Sequence, residues 1–268
     1  GREVRLAAKP SNHSGTQISM KILAVAQGKG GVGKTTTAVN TSFEAAEAGA
    51  RVLVVDLDSG DLSKTMARFN LEIPASALFL DSTPVAPTHD SSISLIAADQ
   101  LLANLIYMPL ETALRNFRVN LSAFAQKGYD LCVIDTAPGV SIALAAALHA
   151  ADAVISPVEM EEYSIEGIKK MMRVILNARQ HNAKLQFLGL VPSMVDRRNP
   201  RQVRHLEEVR AAHEKLLAPV AIGLRSSVAE ALASGEPVWK SKKTSARAAG
   251  AEMRALGQYI RTKMGVKA

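Results

Sequence analysis

The segment from Lys29 to Thr37 reads KGGVGKTTT, which places three glycines among two lysines and three threonines. A short apolar run precedes it and a helical pattern follows it. A glycine-rich loop in that position directs backbone N–H groups and a helix N terminus at an anion. In such a Walker loop Lys34 reaches the outer phosphates and the hydroxyl of Thr35 ligates Mg²⁺. We therefore predict a site for Mg²⁺ and a nucleoside triphosphate. The expected nucleotide-binding residues of the loop are Gly30, Gly31, Val32, Gly33, Lys34, Thr35 and Thr36.

Carboxylates follow two apolar runs, RVLVVDLD at 51–58 and YDLCVID at 129–135. Such runs are typical of parallel strands buried on both faces, and open α/β sheets bind ligands at the carboxyl ends of these strands. We expect Asp135 to contact Mg²⁺ through a water molecule. Asp56 and Asp58 alternate onto one side of their strand. Asp58 is the candidate for orienting the attacking water, and Asp56 is a further candidate for the metal. Each single aspartate also fits a helix N-cap or a turn, and that alternative stays open.

Strand-like and helix-like segments alternate along the chain. The predicted strands cover residues 20–26, 51–57, 93–97, 129–136, 153–157, 185–191 and 219–224. The predicted helices cover about 35–48, 101–127 with Pro109 breaking or restarting the helix, 141–150, 164–180, 200–217, 226–233 and 244–263. Residues 70–92 carry little periodic signal and are expected to be irregular. This order predicts one α/β domain over residues 20–268, with a doubly wound, mainly parallel sheet flanked by helices.

Residues 1–19 are polar, basic and aperiodic, so we expect a flexible N-terminal tail there. Met20 stands directly before the first predicted strand. Two origins of the tail therefore stay open: a cloning remnant ahead of a natural start, and a native extension.

Composition limits the class of protein. With 268 residues, 47% of them hydrophobic, the chain is long enough to bury one large core. Its single cysteine, Cys132, excludes a disulfide framework and a metal centre built from cysteines. The longest apolar stretch, residues 140–155, is interrupted by His149 and Asp152 and is too short to cross a bilayer. These features are typical of a cytoplasmic protein.

Charge is unevenly distributed over the chain, whose net charge is +7. Residues 197–268 contain 15 lysines and arginines against 6 acidic residues, a net charge of +9. The preceding residues contain 17 against 19, a net charge of −2. A basic block at one end of a near-neutral domain indicates a polyanionic partner, either nucleic acid or an anionic membrane surface. An ordinary solvated face stays open as the alternative.

Beyond its Walker pattern, the loop carries an additional lysine, Lys29, directly before the glycines. In this respect it resembles the deviant Walker A loop of the ParA/MinD family of P-loop ATPases. The resemblance runs from residue 20 nearly to the C terminus and includes the spacing of 24 residues between Lys34 and Asp58. The other segments that carry it are VLVVDLDSGDLS, DLCVIDTAPG, ADAVISPVEMEEYSIEG, LGLVPSMVDRRNPRQV and GEPV at 235–238. Within the family the chain is most similar to the ParA-type, Soj-like partition ATPases.

The resemblance implies an ATP-dependent sandwich homodimer that holds two ATP molecules with Mg²⁺ at its interface. Lys29 would cross to the phosphates of the other subunit and compensate transition-state charge, as an arginine finger does. Asp58 would orient the water, which makes Lys29, Lys34 and Asp58 the expected catalytic residues. The adenine base is expected near Asp196, Gly223 and Leu224.

Partition ATPases of this branch bind double-stranded DNA without sequence preference through basic C-terminal residues. The resemblance therefore implies a nucleoid-associated protein whose weak ATPase activity is stimulated by a centromere-binding, ParB-like partner. The expected DNA contacts are Arg225, Lys240, Lys242, Lys243 and Arg247.

One departure from the family pattern follows Asp58, where partition proteins usually have Pro-Gln-Gly-Asn. This chain has Ser-Gly-Asp-Leu at 59–62, which affects the first switch segment. A second class, a MinD-like membrane-associated positioning ATPase, would need a C-terminal amphipathic helix. The C-terminal residues RTKMGVKA do not form a convincing apolar face, so no stable membrane association is expected. A ParA-like positioner of other cargo and a conjugation accessory ATPase would use the same cycle and stay open.

Overall fold

The computed structural model describes residues 19–27, 29–31, 33–87, 90–160 and 165–266. The predicted tail up to residue 18 lies outside these ranges, and so does Val32 of the glycine-rich loop. The start of the helix predicted at residue 164 also falls outside them.

A parallel sheet forms the centre of the domain. Its seven strands within the described residues are β1 (Lys21–Val25), β2 (Val52–Leu57), β3 (Asn70–Pro74), β4 (Ile93–Ala97), β5 (Leu131–Thr136), β6 (Ala153–Glu159) and β7 (Gln186–Ser193). They lie in the order β3-β4-β2-β5-β1-β6-β7, and every described pairing is parallel. The prediction of a mainly parallel sheet is confirmed.

Eight α-helices of the described residues flank the sheet or connect its strands. They are α1 (Lys34–Glu47), α2 (Asp61–Thr65), α3 (Leu110–Ala125), α4 (Ile142–Ala150), α5 (Ile165–His181), α6 (Pro200–His213), α7 (Ser226–Ser234) and α8 (Ala246–Met264). None of these helices is long and apolar enough to cross a membrane, within the part of the chain that the structure describes.

Both faces of the sheet are buried, as continuous apolar strands require. Leu53 and Val55 of β2 pack in a core with α3, α4 and α5, whereas Val52 and Val54 pack in a second core with α1 and α8. Because side chains alternate along β2, the strand contributes to one hydrophobic layer on each face of the sheet. The doubly wound α/β prediction is confirmed.

The strand predicted at 219–224 is wrong. This segment runs beside the end of β7 but makes only isolated bridges, Leu190 with Leu217 and Val195 with Gly223, within the described residues. Pro219 has no N–H group to donate, and Pro192 on the neighbouring strand lacks one as well, so a continuous ladder cannot form. The segment instead follows β7 through single backbone hydrogen bonds.

Two further predictions need correction. Residues 70–74, expected to be irregular, form the edge strand β3, in which Leu71 and Ile73 are buried and alternate with exposed residues. Residues 100–107, expected to be α-helical, form 3₁₀ turns, and α3 begins only after Pro109. Of the two roles expected for Pro109, the structure shows the restart, because α3 begins directly after it, consistent with its fixed φ and missing N–H.

Candidate nucleotide site

The glycine-rich loop leads from the end of β1 into α1. Gly31 and Gly33 have φ values of 76° and 93°, in the left-handed region that favours glycine. A Cβ atom on Gly33 would lie 2.9 Å from Ser193 Oγ at the end of β7, so the loop approaches that strand closely. Among the described residues no side chain caps the start of α1 after Gly33. The first N–H groups of α1 therefore remain available to an anion.

Lys34, the first residue of α1, is almost completely buried at 5% exposure. Its Nζ atom donates a hydrogen bond to the carbonyl oxygen of Lys29, 3.1 Å away across the loop. A buried ammonium group needs a compensating negative charge, and a phosphate in the loop would supply it. Thr35 and Thr36 follow in the first turn and are half-buried. The predicted loop residues that are described are therefore brought together around one small concavity.

Thr35 and Asp135 meet across the sheet. Thr35 Oγ1 donates a hydrogen bond of 2.7 Å to Asp135 Oδ2, although 100 residues separate them in the chain. Asp135 is fully buried, and its other oxygen, Oδ1, has no hydrogen-bond partner among the described residues. Burial raises the pKa of Asp135 to about 8; the bond from Thr35 opposes this, and the negative charges of Asp56 and Asp58 add to it.

An orphaned carboxylate oxygen beside a hydroxyl group fits a hard divalent cation. Mg²⁺ prefers oxygen ligands, and its charge would offset the burial of Asp135. Thr35 and Asp135, the two residues expected at the metal, lie together and are the ones that would hold the ion. Neutralisation of phosphate charge is the chemistry it would supply.

Asp56 lies directly beside Asp135 in the register of β2 and β5, but its oxygens are already engaged. Oδ1 accepts a hydrogen bond from the backbone N–H of Asp58 at 2.9 Å, and Oδ2 accepts from Ser63 N and Oγ at 3.0 and 2.6 Å. Ser63 Oγ in turn accepts from Ala98 N at 2.9 Å. This geometry favours a role in anchoring the loop after β2 over metal coordination. Sequence reasoning missed Ser63, whose only signal was its position directly after the altered residues 59–62.

Asp58 begins the loop that Asp56 anchors and is half-buried. Its Oδ1 atom accepts a hydrogen bond of 2.7 Å from the backbone N–H of Ser59. Gly60 then adopts a left-handed conformation with φ 97°, and α2 starts at Asp61. The sequence Ser-Gly-Asp therefore makes a short turn into a helix. Asp58 remains beside the carboxyl edge of the sheet, where the phosphate loop also lies.

Lys29 occupies the outer edge of the loop rather than its interior. Its side chain is about half exposed at 53%, and Nζ lies 3.4 Å from Glu159 Oε2 at the end of β6. The two lysines of the loop therefore differ in environment: Lys34 points into the concavity and Lys29 lies at the surface. The neighbouring Gly30 lies beside Pro138 of the segment after β5.

The three residues expected near adenine are brought together at the end of β7. Leu224 N donates a hydrogen bond to Val195 O at 2.9 Å, which places Gly223 and Leu224 beside Asp196. Leu224 exposes 49% of its surface and offers an apolar contact for a base. Arg198 hydrogen-bonds the Asp196 carboxylate through N and Nε, both at 3.0 Å, and holds its pKa below the usual range.

The predicted DNA-binding residues separate into two groups. Lys240 and Lys242 are exposed on the connection between α7 and α8, and Arg247 is exposed in the first turn of α8. Arg225 is mostly buried, with 20% of its side chain exposed, and forms a bidentate ion pair with Glu252. Lys243 is exposed but pairs with Glu230. These acidic partners could not be predicted, because they are 13 and 27 residues away in the sequence and become neighbours only in the folded chain.

A glycine-rich loop at the carboxyl edge of a parallel sheet, one strand away from a buried carboxylate that its threonine contacts, is the arrangement of a P-loop ATPase. In comparisons with known proteins, the family model described as an AAA domain matches residues 20–187. The protein IncC of Escherichia coli is 50% identical over 258 residues, 92% of this chain and 71% of that protein. The chromosome partitioning protein ParA of Caulobacter vibrioides is 32% identical over 82% of this chain and 86% of its own length. The chain belongs to the ParA/MinD family and is of the ParA type.

Solved structures share the fold. Cobyrinic acid a,c-diamide synthase from Mycobacterium smegmatis, with a bound ATP analogue and magnesium, matches with a TM-score of 0.71 at 25% identity, over 92% of this chain and 98% of that one. The septum site-determining protein MinD from Pyrococcus horikoshii, complexed with Mg-ADP, matches with a TM-score of 0.70 over 93% of this chain and 99% of that one. Its identity of 22% supports the fold alone.

Proposed function

We propose that this protein is a DNA partition ATPase that hydrolyses ATP to ADP and phosphate. The observation that carries the proposal is the pair formed by Thr35 and Asp135, with buried Lys34 beside it and Lys29 at the outer edge. Thr35, Asp135 and Lys34 can together bind one nucleotide with its metal ion. Lys29 is at the surface, where it can contact the nucleotide of a second copy of the chain.

Each residue of the proposed nucleotide site has a separate role in phosphoryl transfer. The N–H groups at the start of α1 and the ammonium group of Lys34 bind and orient the phosphates. Asp58 holds the attacking water in line, and Asp56 with Ser63 keeps the Asp58 loop in position. Lys29 of a second copy adds positive charge as the transition state forms. Hydrolysis then requires dimerisation, because one chain alone lacks that charge at its own phosphates.

DNA is the partner that the charge distribution supports best. The net charge of +9 over residues 197–268 includes Lys240 and Lys242, exposed on the connection before α8, and Arg247, exposed in the first turn of α8. Positive side chains of this kind bind phosphates without reading sequence. In the proposed cycle, ATP binding drives dimerisation on DNA, and a ParB-like partner stimulates hydrolysis and release.

The membrane-associated alternative finds less support. The apolar residues of α8, among them Met253, Leu256 and Ile260, are buried in the core against the sheet. An amphipathic helix can enter a bilayer surface only with an apolar face that is free to do so. Within the described residues, up to 266, α8 uses that face for packing.

The test is binding of a random-sequence DNA duplex, measured by fluorescence anisotropy at low salt with and without ATP and Mg²⁺. We expect binding that requires ATP, and no ATP-dependent co-sedimentation with anionic liposomes. Failure to bind duplex under any nucleotide condition would refute the proposal. Liposome binding without DNA binding would favour the membrane-associated class instead.

Asp58→Ala tests the catalytic assignment. Loss of the group that orients water should lower the ATPase rate at least about a hundredfold, while ATP-dependent DNA binding persists. Asp61→Ala is the matched control, because Asp61 is an exposed carboxylate three residues further on. An unchanged hydrolysis rate in the Asp58 variant would show that another group orients the water.

A further inference from the structure

Glu252 of α8 is a carboxylate that neither the phosphate site nor the basic surface accounts for. Its side chain is 17% exposed and forms a bidentate ion pair with the guanidinium group of Arg225. Glu252 Oε2 also accepts a hydrogen bond of 3.0 Å from the backbone N–H of Gly223. Arg197 Nη2 lies 3.8 Å from Oε1. Two arginine side chains and one backbone N–H group thus lie around the Glu252 carboxylate.

The groups that meet at Glu252 come from two different predicted sites. Gly223 belongs to the segment expected to contact adenine, and Arg197 directly follows Asp196 of the same pocket. Arg225 belongs to the expected DNA-binding set. The guanidinium group is folded back so closely that a Cβ atom on Gly223 would lie 2.6 Å from Arg225 Nη1. The Gly223 backbone therefore lies close to the Arg225 guanidinium group and is hydrogen-bonded to its partner Glu252.

We propose that Glu252 acts as an internal substitute for a DNA phosphate, holding Arg225 away from DNA until nucleotide binding rearranges the segment around Gly223. This inference rests on the proposed DNA-binding function and adds to it the device that makes DNA binding depend on ATP.

The physical basis is competition between two anions for one guanidinium group. A carboxylate and a phosphate both match the fork of an arginine with two parallel hydrogen bonds. Arg225 cannot make both pairs fully, so DNA must displace Glu252. This competition lowers DNA affinity for as long as Glu252 is in place.

Nucleotide binding can shift this competition because Glu252 is attached to the pocket at Gly223. A base bound against Gly223 and Leu224 would contact the backbone segment whose N–H group, at Gly223, donates a hydrogen bond to Glu252. A ligand shifts a two-state equilibrium only through contacts that differ between the two states. The hydrogen bond from Gly223 N–H to Glu252 is the contact that would differ, because in the proposed released state Glu252 no longer stays beside both groups.

Glu252→Gln tests this device, since it keeps the side-chain shape and removes the charge. We expect the variant to bind a random-sequence duplex without nucleotide about tenfold more tightly than the natural protein does, because the bidentate ion pair is lost. Its ratio of affinities with and without ATP should fall accordingly. The gain should disappear in the double variant Glu252→Gln/Arg225→Gln, because Glu252 acts through Arg225. Fluorescence anisotropy at fixed salt measures the affinity of each protein for the duplex, with and without ATP.

Glu207→Gln is the control for net charge, because Glu207 is an exposed carboxylate on α6 and its substitution changes the charge equally. An equal gain in this control, or a gain that survives without Arg225, would overturn the inference. Weaker nucleotide-free binding by Glu252→Gln would also overturn it, because it would make Glu252 a support for Arg225.

Glu252→Asp provides a second variant that keeps the charge but shortens the reach to Arg225. We expect a gain smaller than that of the glutamine variant, and no gain in either would contradict the device. The natural protein with ATP serves as the reference for the proposed function itself. If it binds no DNA, that function fails; if it does and Glu252→Gln changes nothing, only the present inference fails.

Discussion

Asp135 is a buried carboxyl group that keeps its proton to an unusually high pH. Its pKa is raised to about 8 by burial, so the unliganded folded protein holds a proton there that the unfolded chain releases near pH 4. Because the folded state binds more protons than the unfolded state between these values, this group destabilises the fold as the pH rises from 4 to 8.

Asp135→Asn should remove that dependence. We expect the nucleotide-free variant to lose less stability than the natural protein between pH 5 and pH 8, since the slope from one such group is at most about 1.4 kcal/mol per pH unit. Urea unfolding at several pH values measures it. Mg²⁺-dependent ATP binding should be weakened in the same variant. Parallel stability curves for the two proteins would show that Asp135 is ionised in the unliganded state.

The two lysines of the loop should separate binding from hydrolysis. Lys29→Ala is expected to leave ATP affinity nearly unchanged, because Lys29 lies at the outer edge of the loop, while hydrolysis falls about 10³-fold through loss of transition-state charge. Lys34→Ala should abolish binding, because that ammonium group lies inside the loop. Equilibrium binding of a fluorescent ATP analogue and phosphate release separate the two effects. Normal hydrolysis by the Lys29 variant would mean that this lysine does not serve a second subunit.

At the scale of elements, one close contact joins the end of α7 to the end of α2. Gly235, which ends α7, has φ 72°, and a Cβ atom there would lie 2.7 Å from the carbonyl oxygen of Thr65 at the end of α2. Arg68 and Glu236 form an ion pair of 3.2 Å next to this contact. Because α2 follows the Asp58 loop, the connection between α7 and α8 packs against the element next to the proposed water-orienting residue.

Gly235→Ala should therefore destabilise the protein by roughly 2–4 kcal/mol, through left-handed strain and steric overlap with Thr65. Gly265→Ala is a matched control, since Gly265 ends α8 with φ 66° and no described atom lies within 4 Å of its added Cβ. That control should lose only about 1 kcal/mol. If urea unfolding showed the same loss of stability in both variants, the steric overlap between α7 and α2 would contribute nothing to it.

Elements with a strong local signal could be predicted from the sequence. The strand at 93–97 and the apolar β2 and β5 follow from runs of buried residues, and the phosphate loop follows from residue types and spacing. The edge strand β3 could not be found, because five residues with two buried positions give almost no periodic signal. Asp56 and Arg225 were assigned to ligands because their partners, Ser63 and Glu252, become neighbours only in the folded chain.

At the scale of the whole molecule, the basic C-terminal part predicts a measurable salt dependence. Lys242→Ala should weaken binding to all duplex sequences equally. It should also reduce the slope of log affinity against log salt by about 1 for each protomer, as expected for one lost phosphate contact. Lys184→Ala is the control, because Lys184 is exposed just before β7, at the opposite edge of the sheet from the phosphate loop. A slope unchanged by Lys242→Ala would remove this lysine from the DNA interface.

The position of β1 has a consequence for how the protein is made. This strand is the first in the described chain, yet its neighbours are β5 and β6, which begin at Leu131 and Ala153. At a synthesis rate of about 5–20 residues per second, β1 stays unpaired on the ribosome for on the order of ten seconds. The apolar strand that carries the phosphate loop is therefore exposed to aggregation throughout that interval, and ATP cannot assist the nascent chain until β5 has emerged and docked.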